Sequence, residues 1–165
     1  MELRAPRLRT RLACMVYEGL LLFGPVFGAG WLFSVLTQQR HALFHREGMQ
    51  AWIFFVIGLY FVWFWSRGRQ TLPMKTWRIR LVDRAGKPLS YNRALLRYLL
   101  SWLWFLPGLV LAAALGIHTG PLLLWIPAAN VVLWALAVYL DPQRQFLHDR
   151  LAGTRLLREP APSTD

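Results

Sequence analysis

No Asp, Glu, Lys or Arg occurs between Arg97 and Asp141, and an uncharged, apolar stretch of that length belongs in a bilayer rather than on the surface of a soluble domain. At about 20 residues per crossing it is too long for one helix. Gly116-Ile117-His118-Thr119-Gly120-Pro121 places a tight turn in its middle, so it reads as two spans, 94–115 and 121–140. Two more charge-free intervals, Glu18 to Arg40 and Glu47 to Arg67, give spans near 12–37 and 49–66. The fold class expected is therefore all-α, a four-span transmembrane helical bundle. A composition that is 56% hydrophobic, with nine Trp and ten Phe, agrees with it. A cleaved signal peptide ending near Gly28-Ala29-Gly30 is the alternative for the first run, but Glu18 inside it and the length of the run argue against cleavage.

Basic residues set the orientation. Residues 1–11 carry four Lys or Arg, 67–93 carry eight and 141–165 carry four, whereas 38–48 carry only Arg40 and Arg46. Sixteen against two places both termini and the central loop in the cytoplasm. The same distribution accounts for the net charge of +11 through topology and anionic lipid headgroups, so nucleic acid is not an expected partner.

Against this background Glu18 stands out, a carboxylate roughly 9 Å below the start of the first span at 1.5 Å per residue. Arg97 enters the third span in the same leaflet at similar depth. A buried ion is tolerated when it is paired, which predicts a Glu18 to Arg97 contact, with Arg11 and Arg93 as alternates. The bland version is an ion pair that only locks two spans together. Asn130 near the middle of the fourth span and Ser101 one turn beyond Arg97 extend the candidate polar site, although hydrogen bonding between helices is their commoner use. Pro25, Pro107 and Pro127 near span centres read as kinks in preference to broken helices. Gly24 and Gly28 form a small-xxx-small pair suited to close helix approach.

Outside the spans, residues 77–82 alternate apolar and charged positions at Trp77, Ile79 and Leu81, which predicts a strand, and Ala85-Gly86-Lys87-Pro88 turns the chain. Residues 145–152 read as a short interfacial helix with Phe146, Leu147 and Leu151 inward, and 153–157 as a second strand. The two strands are expected to pair as a small cytoplasmic β ribbon. Residues 158–165, with Pro160 and Pro162, read as a disordered tail. Chemistry-bearing signals are sparse. His41 and His45 are four apart but lack a third ligand, His148 beside Asp149 has no nucleophile to serve, and Cys14 reads as a small buried hydrophobe. Neither a cofactor nor an enzymatic activity is expected.

Arg11-Leu12-Ala13 followed by an acid at Glu18, the segment Thr71 to Lys75 running into Arg80-Leu81-Val82-Asp83-Arg84-Ala85-Gly86-Lys87-Pro88, then Arg93-Ala94-Leu95-Leu96-Arg97, and His148-Asp149-Arg150-Leu151-Ala152-Gly153-Thr154 together resemble the RDD family of bacterial membrane proteins. The resemblance covers nearly the whole chain. It implies a single membrane domain over 1–157, and it matches Arg11 to the family's arginine, Glu18 to its first aspartate and Asp149 to its second. Glu for Asp keeps the carboxylate and adds one methylene. Met74 stands before Lys75 where the family often has Gly. Transport, including cation/proton exchange, is what the resemblance implies for activity.

Two functions are expected from these readings. One is a transport-related protein of the bacterial inner membrane, with Glu18 as the titratable group and Arg97 or Arg11 tuning it. The other is a membrane scaffold or accessory subunit whose buried charges fix helix packing and whose basic face meets anionic lipid or a partner. Four spans are few for a complete transport path, so a homo-oligomer or a membrane partner fits either.

Overall fold

The structure, a computed structural model, describes residues 5–38 and 46–159. Helices α1 (Leu8–Leu36) and α2 (Arg46–Trp65) come first, then a short α3 (Leu72–Thr76) and strand β1 (Ile79–Asp83). Helix α4 (Tyr91–Ser101) passes through a 3₁₀ turn (Trp102–Trp104) into α5 (Leu106–Ala114). Helix α6 (Leu122–Leu136), extended by a 3₁₀ turn to Leu140, is followed by α7 (Leu147–Ala152) and β2 (Thr154–Arg158). Helices Leu8–Leu36, Arg46–Trp65 and Leu122–Leu140 are each long and apolar enough to cross a membrane, and the α4/α5 pair, bent by 42°, is a fourth candidate if it counts as one span. Large side chains such as Phe23, Phe27, Trp31, Leu124, Trp125 and Leu133 stay exposed on these helices. Apolar surface on that scale suits lipid, not water, and this is a multi-pass membrane protein.

Only one of the three prolines breaks its helix. Pro25 and Pro127 lie inside continuous α1 and α6, whereas Pro107 sits at the bend. Proline has no N–H to give the carbonyl four residues back, so Leu103 O loses its helical donor. The Asn130 amide on α6 enters at this break, donating to Trp104 O at 2.6 Å and lying at the limit of hydrogen-bond distance, 3.5 Å, from Leu103 O. Beside it, α5 and α6 meet closely: a Cβ on Gly108 would lie 2.8 Å from Pro127 Cα and 3.0 Å from Asn130 Cβ. Backbone cannot yield as a flexible side chain can. Gly108→Val is therefore expected to cost about 1–3 kcal/mol through overpacking, read as a lower midpoint in a denaturing-detergent titration. A Cβ on Gly24 or Gly28, by contrast, would meet nothing within 4 Å, so their small-residue face packs on no other element among the described residues.

Below the spans the described chain closes into a cap. Thr71 caps α3, its side chain accepting from Met74 N–H, with Pro73 in the first turn. Strands β1 and β2 pair antiparallel from Ile79↔Arg158 to Asp83↔Thr154, the ribbon expected from the sequence, shifted by a residue or two. Trp77 falls outside it and is exposed. The ordered chain also runs past 157: Arg158 is in β2, and Glu159 N–H donates to Arg78 O at 2.9 Å. Two side chains finish the ribbon's outer edges. Gln145 donates to Leu156 O and accepts from Leu156 N–H, and Gln70 donates to Ile79 O. Helix α7 turns inward with Phe146, His148, Asp149 and Ala152 buried, while Leu147 and Leu151, expected inward, are exposed. Gly153 ends α7 at φ +67°, the left-handed conformation that glycine adopts without strain, and hands the chain directly to β2.

Candidate functional site

Helix α1 packs on α2 and α3, and α4 on α2 and α7. Between α1 and α4 lies a chamber of about 320 Å³. Arg11, Glu18 and Leu22 line it from α1, Ile57 and Phe61 from α2, and Arg97, Trp102 and Phe105 from the α4 side. Its floor is the cap, through Met74, Ile79, Phe146, His148 and Leu156. Met15 and Phe105 line it and are also exposed, which puts its mouth on the apolar flank of the helices.

Glu18 lies ten residues into α1, about 15 Å along it, and it does not contact Arg97. Tyr60 hydroxyl donates to its Oε1 and Thr71 hydroxyl to its Oε2, both at 2.6 Å. The expected Glu18–Arg97 pair is thus replaced by two neutral donors, one from α2 and one from the cap of α3. Short O–H···O⁻ bonds are among the stronger kind, and they satisfy the carboxylate without a countercharge.

Arg97 turns instead to the cap. Its Nε donates to Asp149 Oδ1 at 2.7 Å, and its guanidinium lies 4.0 Å over the Trp65 ring. Asp149 is completely buried; Thr154 hydroxyl, held nearby by the Gly153 turn, donates to the same oxygen at 3.2 Å. Burial works to raise the Asp149 pKa, but the Arg97 guanidinium, then His148, outweigh it and hold the carboxyl below its ordinary value. His148 Nδ1 accepts from Trp104 Nε1–H at 3.0 Å, so the ring proton resides on Nε2, which lies 3.5 Å from Asp149 Oδ1. Burial depresses the His148 pKa to about 4 against the opposite pull of Asp149. The His148–Asp149 contact is accordingly that of a neutral imidazole, not an ion pair. Trp65 and Trp104 serve this network from inside.

Arg11 is the group left over. It is 2% exposed, its Nε donates to Pro6 O at 3.0 Å, and its guanidinium sits 5.1 Å from the centre of the Phe146 ring. Neither Nη1 nor Nη2 has a hydrogen-bond partner among the described residues. Asp149 Oδ2 is likewise unpartnered.

Of the residues singled out from sequence, the structure brings Arg11, Glu18 and Arg97 to one chamber and sets Asp149 directly behind Arg97. Asn130 does not line the chamber and serves the α5 break. Ser101 lines it, donating to Tyr98 O at 2.7 Å. Arg93, an alternate partner for Glu18, binds Asp83 Oδ2 at 2.9 Å. Asp83 also accepts from Lys87 and Ala85 N–H, and the Lys87 bond leads the interactions that lower its pKa. Cys14 is buried. His41 and His45 lie outside the described residues. Tyr60 and Thr71 were not anticipated; only the Thr71-Leu72-Pro73 helix-start signature pointed at either.

In comparison with known proteins, the sequence model described as RDD family matches residues 5–153. No curated protein and no solved structure matches the chain.

Proposed function

The chain belongs to the RDD family, and from that premise we propose that it is a four-span protein of the bacterial inner membrane that moves a cation or protons, with Glu18 as the ionisable group of the transport step. The observation that carries this reading is the chamber between α1 and α4, with Glu18 on its wall deep in a spanning helix and Arg11 and Arg97 toward the cap. A carboxylate held by two hydroxyls can exchange one of them for an ion or a proton without leaving a buried countercharge behind. Opening of the chamber beyond Leu22 completes the path, and with so few spans we place it in a homo-oligomer or with a membrane partner. No catalytic step belongs to this reading, since both nitrogens of His148 face partners within the protein.

In the same reading α4 and α5 form one bent span, and the cap and both termini are cytoplasmic. Arg67, Arg69, Arg78, Arg80, Arg84 and Lys87 then meet anionic headgroups of the inner leaflet. Reporter fusions after Asp165 and near His45 are expected to report opposite sides; the same side for both excludes this topology.

Glu18→Gln tests the transport step, since it keeps the size of the side chain and removes its charge. In proteoliposomes with an imposed proton gradient, wild type should carry cation flux, and Glu18→Gln should lower it about tenfold or more, equivalent to ~1.4 kcal/mol on the rate-limiting barrier. Wild-type flux no greater than in protein-free liposomes, or full flux through the variant, rejects the reading. A scaffold role is the second reading. It is favoured by one specific observation, that both Glu18 oxygens are already satisfied inside the chain; unchanged flux with a marked loss of stability in Glu18→Gln is its signature.

A further inference from the structure

Beyond any ion handled by Glu18, we propose that Arg11 anchors an amphiphilic anion in the same chamber: a single carboxylate or phosphate group on an apolar body. The guanidinium is 2% exposed and lines the chamber, and the donors on Nη1 and Nη2 are unmatched among the described residues. A buried cation in that condition is costly, and the cost falls away when an acceptor arrives. Of the carboxylates nearby, Glu18 gives both oxygens to Tyr60 and Thr71, and Asp149 gives Oδ1 to Arg97; Asp149 Oδ2 is unpartnered among the described residues but makes no hydrogen bond to Arg11. The two free Nη groups form the planar fork that binds carboxylate or phosphate oxygens bidentately.

The rest of the chamber selects the body attached to that head. Leu22, Ile57, Phe61, Trp102 and Phe105 offer no charge, so the walls favour hydrocarbon, and a volume of about 320 Å³ lies at the small end of ligand pockets. Met15 and Phe105 at the mouth are exposed on the apolar flank. A ligand therefore enters sideways from the bilayer, head toward the cap and chain toward the membrane interior. A fatty-acid anion and the headgroup end of an anionic phospholipid share this chemistry.

The test uses the full chain in phosphatidylcholine nanodiscs at pH 8, with 11-bromoundecanoate and 11-bromoundecanol as paired probes. Bromine quenches nearby indoles, and Trp65, Trp102 and Trp104 line the chamber. Wild type should show saturable quenching, with the acid favoured over the alcohol about tenfold relative to Arg11→Gln, or ~1.4 kcal/mol for one charge-assisted contact. Arg11→Gln should abolish that preference. Gly19→Leu covers the case in which Arg11→Gln fails to fold: Gly19 lines the chamber, a Cβ there meets nothing within 4 Å, and Arg11 stays in place. It should remove saturable quenching by both probes. Competition by phosphatidylglycerol doped into the discs identifies the bilayer as source, and competition by fatty acid alone identifies a free amphiphile; either supports the site. Inorganic phosphate competing as well as the acid overturns the apolar half of the proposal. Equal response to acid and alcohol in wild type, or a preference that survives Arg11→Gln, overturns it entirely. Glu18→Gln should keep the preference, so loss of flux with binding retained separates this site from the ion reading.

Discussion

Asp149→Ala is expected to destabilise the protein by about 3–5 kcal/mol, because it strands the Arg97 guanidinium without its carboxylate. The double variant Arg97→Met/Asp149→Leu should lose much less, since removing both charges leaves no buried ion behind. Unfolding midpoints in a denaturing-detergent titration give the comparison, and the double-mutant cycle should show a coupling well above the few tenths of a kcal/mol seen for independent sites. The same cycle on Glu18 and Arg97 should be close to additive, as the two do not touch. Additivity for Arg97 and Asp149 would contradict the contact.

Acid should act through His148. Its ordinary pKa of 6.5 falls to about 4 in the folded protein, so the neutral ring is the form the fold favours. For a group with a depressed folded pKa, the stabilisation is complete above 6.5, declines as the pH falls, and is gone below about 4. Over that window the loss is roughly 3 kcal/mol. Asp149 acts in the same sense at lower pH, since its carboxyl must be protonated against Arg97. Stability measured between pH 7 and 4 should slope downward in wild type and much less in His148→Gln. A level wild-type curve would mean that folding leaves the His148 pKa unchanged.

The position of the long apolar helices along the chain was legible in the sequence; rotation about each helix was not. Charge-free intervals located three long apolar helices and the bent α4/α5 pair, and alternation at Ile79 and Leu81 located the ribbon. The expected topology put Glu18 and Arg97 in one leaflet, and the pairing inferred from it failed for a definite reason. Charge counting sees only ions, while the partners of Glu18 are the hydroxyls of Tyr60 and Thr71, which carry no formal charge. Asp149 was recognised as a motif residue but assigned to an interfacial helix. Its real position depends on α7 folding back beneath α4, which rests on the left-handed Gly153 and on strand pairing distant in sequence. Asn130 was placed in the candidate polar site, with hydrogen bonding between helices as its commoner use; its acceptors are carbonyls at the α4/α5 break, which the sequence did not distinguish from a kink.

The two glutamines at the ribbon bear on how copies of this chain can meet. A two-stranded sheet ordinarily offers a row of unused peptide groups along each outer side, an invitation to a third strand from another molecule. Here Gln145 occupies both groups of Leu156 as a single-residue stand-in for such a strand, and Gln70 takes the carbonyl of Ile79 on the opposite side. Extending the ribbon from one molecule into the next would first require those side chains to let go. For the oligomer proposed above, that disfavours contact through the cap relative to contact along the helices, where a Cβ on Gly24 or Gly28 would meet nothing within 4 Å among the described residues.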